Sequence, residues 1–157
     1  MTNGNDSKHL KVQGYFNGFV NNVNTLAGPQ NDKYTAADAE LIIDCRAVST
    51  ARVTAMQGYS QLLASGQTAA AKAMFDAAAV AYNHGMAAAY YKNRLTKAAA
   101  DLAYSTGFDG YFDAYEHQVD AAAVDRDKTV AGYLDDEEHT LHAAELALAQ
   151  TKADADQ

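Results

Sequence analysis

The sequence predicts an all-α protein, an elongated up-and-down bundle of four or five long helices. Three observations lead there. The 157 residues include 34 Ala and one Pro, and Ala loses no side-chain entropy on entering a helix. Apolar side chains recur at steps of three and four along most of the chain, which is helical spacing. No alternating apolar and polar run is bounded by turn residues, so no strand is expected.

Residues 1–7 are polar and expected to be flexible, ahead of a single helical domain over 8–152 and a frayed end over 153–157. From Lys8 to Leu26, the side chains Val12, Phe16, Phe19, Val20, Val23 and Leu26 lie at helical spacing. Gly14 and Gly18 weaken this helix by about 1 kcal/mol each relative to Ala. A loop is predicted over residues 27–35, AGPQNDKYT, where Pro29 follows Gly28. Thr35, with Asp38 three residues on, has capping-box spacing and opens a helix running to Ser65. On it Leu41, Cys45, Val48, Arg52, Met56, Tyr59 and Leu63 step by four, three, four, four, three and four. They form one face, with the Arg52 stem snorkelling. Gly66 suits the position just past a helix end, and Thr68 can cap the next helix.

The third helix is predicted from Ala69 to about Ser105. Phe75, Ala79, Tyr82, Met86, Tyr90, Leu95 and Leu102 lie near one face, with a kink or break at Asn83-His84-Gly85. Ser105-Thr106-Gly107 ends it, and Thr106 caps a fourth helix whose seam is Phe108, Phe112, Tyr115, Val119 and Ala122. A further boundary at Gly132 follows from the N-cap and N3 spacing of Asp135 and Glu138, ahead of Leu141, Ala144 and Leu148. Long helices with short connections lie antiparallel to bury their seams. With 34 Ala and 11 Leu the core of a monomer is thin, so self-association through leftover apolar surface is expected.

Charge is divided unevenly. Residues 1–100 carry nine basic and six acidic side chains, and residues 101–157 carry three basic and 14 acidic, so the net −8 arises in the last third. Binding to nucleic-acid phosphates needs clustered Lys and Arg, and this balance argues against it. Asp109, Asp113, Glu116 and Asp120 step by four, three and four, each just after a seam residue. Charges beside a seam set partner choice in helical assemblies. Their counterpart is either another subunit or the chain's own Lys92, Arg94 and Lys97. Tyr91, beside core-facing Tyr90, is a candidate exposed aromatic for an interface. No signal peptide or membrane-length apolar run is present, and a location in the cytoplasm, or in a particle assembled there, is expected.

Metal chemistry is the main alternative. Asp135, Glu138, His139, His142 and Glu145 fall within three helical turns and are ligand types for zinc or iron. The competing reading is a solvated acidic helix end. A ferritin-like di-iron bundle needs a Glu from each of two helices and a Glu-x-x-His pair from each of the other two. The nearest match is Asp136-x-x-His139, and residues 1–100 hold a single Glu, Glu40, so that family is set aside. Tyr133-x-x-x-Glu137 resembles the tail signal of type VII export, but the chain has no Trp for the turn that accompanies it. No glycine-rich nucleotide motif occurs, and Cys45 on an apolar face reads as a small buried hydrophobe. No catalytic residue and no cofactor is expected. The sequence therefore points to a non-enzymatic helical assembly or interaction protein, a homo-oligomer or a component of a larger particle such as a phage virion. Besides the metal-binding bundle, an acidic inhibitor mimicking nucleic acid is the other alternative.

Overall fold

The computed structural model describes the backbone of residues 4–155 and the side chains of residues 10–150. The protein is all-α, but with two helices rather than four or five: α1, Gly4–Ala64, and α2, Thr68–Ala155. No strand occurs among the described residues. The chain divides into two compact units, one of Asn21–Gly110 and one of Met1–Val20 with Tyr111–Gln157. Residues 4–7, expected to be flexible, belong to α1, while the extreme ends, 1–3 and 156–157, lie outside the described residues.

The reversal between α1 and α2 lies where Gly66 predicts it. Gly66 has φ +78°, which an L side chain adopts only at a cost. Its N–H donates to the Leu63 carbonyl at 3.0 Å, and the Gln67 N–H donates to the Leu62 carbonyl at 2.9 Å. These two bonds form a Schellman cap, satisfying carbonyls that the helix end leaves free. The Gln67 carbonyl then accepts the first α2 bond from Ala71 N–H at 2.9 Å, so Gln67, not Thr68, holds the N-cap position.

The other predicted breaks are absent. α1 runs through the expected loop 27–35 with Pro29 inside it. Proline there removes the donor for the Thr25 carbonyl, a cost of about 3 kcal/mol in a helix interior. Gly28 removes the Cβ that would clash with the proline ring. Leu26, Gln30 and Tyr34 on either side are held by α2, and such packing supplies most helical stability in proteins. Thr35 and Asp38 therefore sit mid-helix, and Asp38 turns to α2 instead of capping. α2 likewise continues through Asn83-His84-Gly85, Ser105-Thr106-Gly107 and Gly132.

Within Asn21–Gly110 the side chains between the helices recur every 11 residues. On α1 these are Leu26, Ala37, Val48 and Tyr59, with Val23, Tyr34, Cys45 and Met56 as a second row. On α2 they are Ala78, Ala89 and Ala100, then Tyr82, Asn93 and Tyr104, then Gly85, Thr96 and Gly107. Every one is buried or half-buried. Eleven residues over three turns is about 3.67 per turn, closer to the natural 3.6 of an α-helix than the 3.5 of a heptad.

The rows interlock by size. A Cβ added to Gly85 would lie 2.7 Å from Val48 Cγ2, and one added to Gly107 would lie 2.8 Å from Leu26 Cδ2. Midway between them in the repeat stand Ala37 on α1 and Thr96 on α2. Bulky, small, bulky on α1 thus meets bare, medium, bare on α2. Sliding one helix by 11 residues sets Val48 against Thr96 and leaves Ala37 at Gly107, a clash and a void.

The seam corrects several assignments. Leu41, Cys45, Val48, Met56 and Tyr59 lie on it as expected, but Leu63 is exposed and Leu62 takes its place. Arg52 sets its guanidinium 4.6 Å from the Tyr82 ring centre. On α2, Tyr90, Leu95 and Leu102 are exposed, because the close approach of the backbones favours Ala and Gly over large side chains. In the other unit, Phe19 meets Phe112 at 6.0 Å and Tyr115 at 5.6 Å between ring centres, and Phe16 meets Tyr115 at 6.2 Å. Val119, Ala122 and Ala123 are half-buried, and from Val124 to Gln150 every side chain is exposed.

Glycine replacement tests the interlock because its sign depends on place. Gly14→Ala and Gly132→Ala meet nothing within 4 Å and are expected to raise stability by about 0.5–1 kcal/mol through helix propensity. Gly85→Ala meets the branched, stiff Val48 and is expected to lower stability by about 1–3 kcal/mol despite the same gain. Chemical denaturation of the three variants checks this.

Candidate functional site

The polar chemistry of Asn21–Gly110 concentrates where α1 residues 30–44 face α2 residues 92–101. Asp38 of α1 receives Lys97 Nζ at 2.7 Å and Asn93 Nδ2 at 3.0 Å. Asp101 of α2 receives the Tyr34 hydroxyl at 2.6 Å and Gln30 Nε2 at 2.7 Å. Each helix thus offers one carboxylate to two donors of the other. Lys92 Nζ adds contacts to Glu40 at 2.6 Å and Asp44 at 3.1 Å, and Lys97 Nζ lies 5.2 Å from the Tyr34 ring centre. A slip of one turn that moved Asp101 into the place of Lys97 would set it against Asp38, so the charges reinforce the register set by the glycines.

The titration shifts follow these contacts. The Lys97 ammonium, then the Asn93 amide, hold the Asp38 carboxyl below its usual 3.8. The bond to Asp101 raises the Tyr34 hydroxyl above its usual 10.0. Glu40, then Asp44, raise Lys92 above its usual 10.5. The sequence alone does not reveal this cluster: there Lys92, Arg94 and Lys97 are one of two possible counterparts of the acidic stripe, and Asp38 has the spacing of a cap. The signal available was the antiparallel pairing about Gly66, which brings residues 34–44 opposite 92–101.

The acidic stripe takes no part in it. Asp109, Asp113, Glu116 and Asp120 are all exposed on α2, and none forms a salt bridge among the described residues. Tyr91 is 65% exposed and belongs to a row spaced by 11 residues with Val80 at 56% and Leu102 at 69%. At about 100° per residue this row points away from the seam. On α1, Ile42 and Val53 form a similar exposed pair 11 residues apart.

Asp135 and His139 approach on one helix, with His139 Nε2 3.9 Å from an Asp135 oxygen, both largely exposed. Glu138, His142 and Glu145 lie on the same exposed stretch of α2. Among the described residues no group of three or more His, Cys, Asp or Glu is placed to hold a metal ion. Cys45 is half-buried on the seam, and Glu116 and His117 are exposed. No polar or charged side chain is fully buried among the described residues, so water reaches every described titratable group. The hollows on α1 are open grooves, one of about 560 Å³ lined by Ile43, Arg46, Ala47, Thr50, Ala51 and Thr54. Among the described residues no helix is long and apolar enough to cross a membrane.

The cross-helix cluster predicts a specific pH dependence. A lowered Asp38 contributes stability above its unfolded value of 3.8 and loses it as pH falls through the folded value. Asp38→Asn is therefore expected to lower the melting temperature at pH 7 and to match the parent once the pH has fallen below the folded value of Asp38. A raised Lys92 contributes below 10.5 and loses that contribution as pH rises through the folded value, so the deficit of Lys92→Met is expected to vanish in strong alkali. Thermal melts of the parent and both variants across pH provide the check.

Comparison with protein-family models, curated proteins and solved structures gives no match for this chain.

Proposed function

We propose that this chain is a non-enzymatic α-helical assembly protein whose helix pairs associate with one another, a building block of a larger particle. The observation that carries this reading is how little the chain buries by itself. Its buried side chains among the described residues are Ala37, Ala71, Ala89 and Ala100. Its accessible surface is 11887 Å², against about 7,600 Å² for a globular monomer of this size. Large apolar side chains stand exposed along both helices, among them Ile42, Val53, Leu95, Leu134 and Leu141, and exposed apolar patches mark association surfaces. Val80, Tyr91 and Leu102 share the repeat of the internal seam, which suits a further helix of the same kind. Two such helix pairs side by side supply the four helices of an up-and-down bundle. The exposed acidic stripe serves to steer orientation on approach, a role that salt screens.

Native mass spectrometry with sedimentation velocity tests the proposal. The expected result is an integer multiple of the chain mass and a melting temperature that rises with protein concentration. Reversing Asp113 and Glu116 to Lys is expected to slow association at low salt with little effect on the stability of the chain. A monomer at every concentration overturns the reading.

A further inference from the structure

The outward face of α2 over residues 69–106 sets a row of bulky side chains beside a row of bare ones. Val80, Tyr91 and Leu102 step by 11 residues and are 56%, 65% and 69% exposed. Three residues before each stands an alanine, Ala77, Ala88 and Ala99, all exposed. At about 100° per residue the alanine row lies roughly 60° around the helix from the bulky row, so the two run side by side. His84 and Leu95, also 11 residues apart and exposed, lie between them. Little charge reaches this face. Lys92, Lys97 and Asp101 turn to α1, and Lys72 pairs with Asp76 along the helix. Arg94 points about 60° to the other side of Tyr91 from Ala88. The same division of sizes joins the two helices of one chain, where Val48 and Leu26 of α1 fill the bare places at Gly85 and Gly107 of α2.

We infer that this face binds itself: the alanine row receives the bulky row of a second copy, and the two α2 helices lie antiparallel about a two-fold axis between Ala88 and Tyr91. This interface rests on the self-association proposed above and adds its place and geometry. In this register Val80, Tyr91 and Leu102 meet the second copy's Ala99, Ala88 and Ala77, and the symmetry returns each contact, so every bulky side chain finds a bare place. Leu95 meets the second copy's His84. A slip of 11 residues one way carries Leu102 past Thr68, where α2 starts. The opposite slip seats Asp113, the next member of the bulky row, on Ala77. Charge selects the antiparallel direction. The first turn of α2 holds no acidic side chain, and a helix start carries partial positive charge. Antiparallel pairing brings the second copy's Asp109 level with Ala70 in that turn, whereas parallel pairing sets each acid of the stripe beside its own copy.

Single-cysteine oxidation in the full chain, in a Cys45→Ala background, tests the geometry. His84→Cys and Leu95→Cys are expected to cross-link to each other when the two proteins are mixed. Neither is expected to cross-link alone, because copies of either residue stand about 17 Å apart along the helix at 1.5 Å per residue, beyond the roughly 7 Å reach of a disulfide. Ala88→Leu separates an interlocked contact from loose apolar adhesion. It adds apolar surface at an exposed position but fills the place of the second copy's Tyr91. It is expected to weaken the dimer tenfold or more by sedimentation, with helix content by circular dichroism unchanged. Cross-linking of either cysteine protein alone, which marks a parallel pair, overturns the inference. So does an oligomer that gives no mixed cross-link, or one that Ala88→Leu strengthens or leaves unchanged, although self-association then stands. A monomer under all conditions removes both.

Discussion

Close approach of two helices at glycine is the constraint on which this structure depends. Val48 and Leu26 occupy the space that a side chain at Gly85 and Gly107 would fill. Those contacts lie 22 residues apart on each helix, two periods of the same repeat. Together with Ala37 opposite the position of Thr96, they allow one alignment over the Asn21–Gly110 unit and penalise its neighbours. The polar cluster of Asp38 and Asp101 with their four donors then acts on a finer scale, opposing a slip of one turn. Apolar shape and charge thus specify the same register, the kind of agreement across levels that gives a single well-defined state.

The same constraint accounts for the weak interior. Backbones brought together by Gly and Ala leave little room for large side chains between them, so Tyr90, Leu95 and Leu102 lie outside the seam. A pair of helices has two faces and no third layer to cover them. The apolar side chains pushed outward keep the repeat of the seam, since they ride on the same helices. Association is the natural outlet for such surface.

Much of this was legible in the residues. Helix content followed from Ala and from the apolar spacing, and the reversal at Gly66 followed from its place after a periodic run. The steps of Leu41, Cys45, Val48, Arg52, Met56, Tyr59 and Leu63 already contain the 11-residue period twice. Reading them as a generic helical face hid it. Glycine misled most: Gly85, Gly107 and Gly132 look like punctuation, yet two of them are packing positions and the third is an exposed helical residue. Pro29 misled for a related reason, since local preference forbids what contacts on both sides hold in place. Following the largest apolar residues on α2 tracked its outer rows, because the seam there is built from the smallest ones. Of the candidate residues, the exposure of Tyr91 and of the acidic stripe was readable from position alone. The Asp38 and Asp101 cluster was not, since it requires knowing which residues face one another across the turn.

The most direct test of the account is a double-mutant cycle between Val48 and Gly85, measured by equilibrium denaturation. Val48→Ala removes the methyl groups that a Cβ at position 85 would strike. In the Val48→Ala background, Gly85→Ala is predicted to change from destabilising to stabilising, leaving its helix-propensity gain of about 1 kcal/mol and a coupling energy above 1 kcal/mol. An equal cost of Gly85→Ala in both backgrounds would show that the two positions do not meet, and would contradict the register from which the rest of the structure is argued.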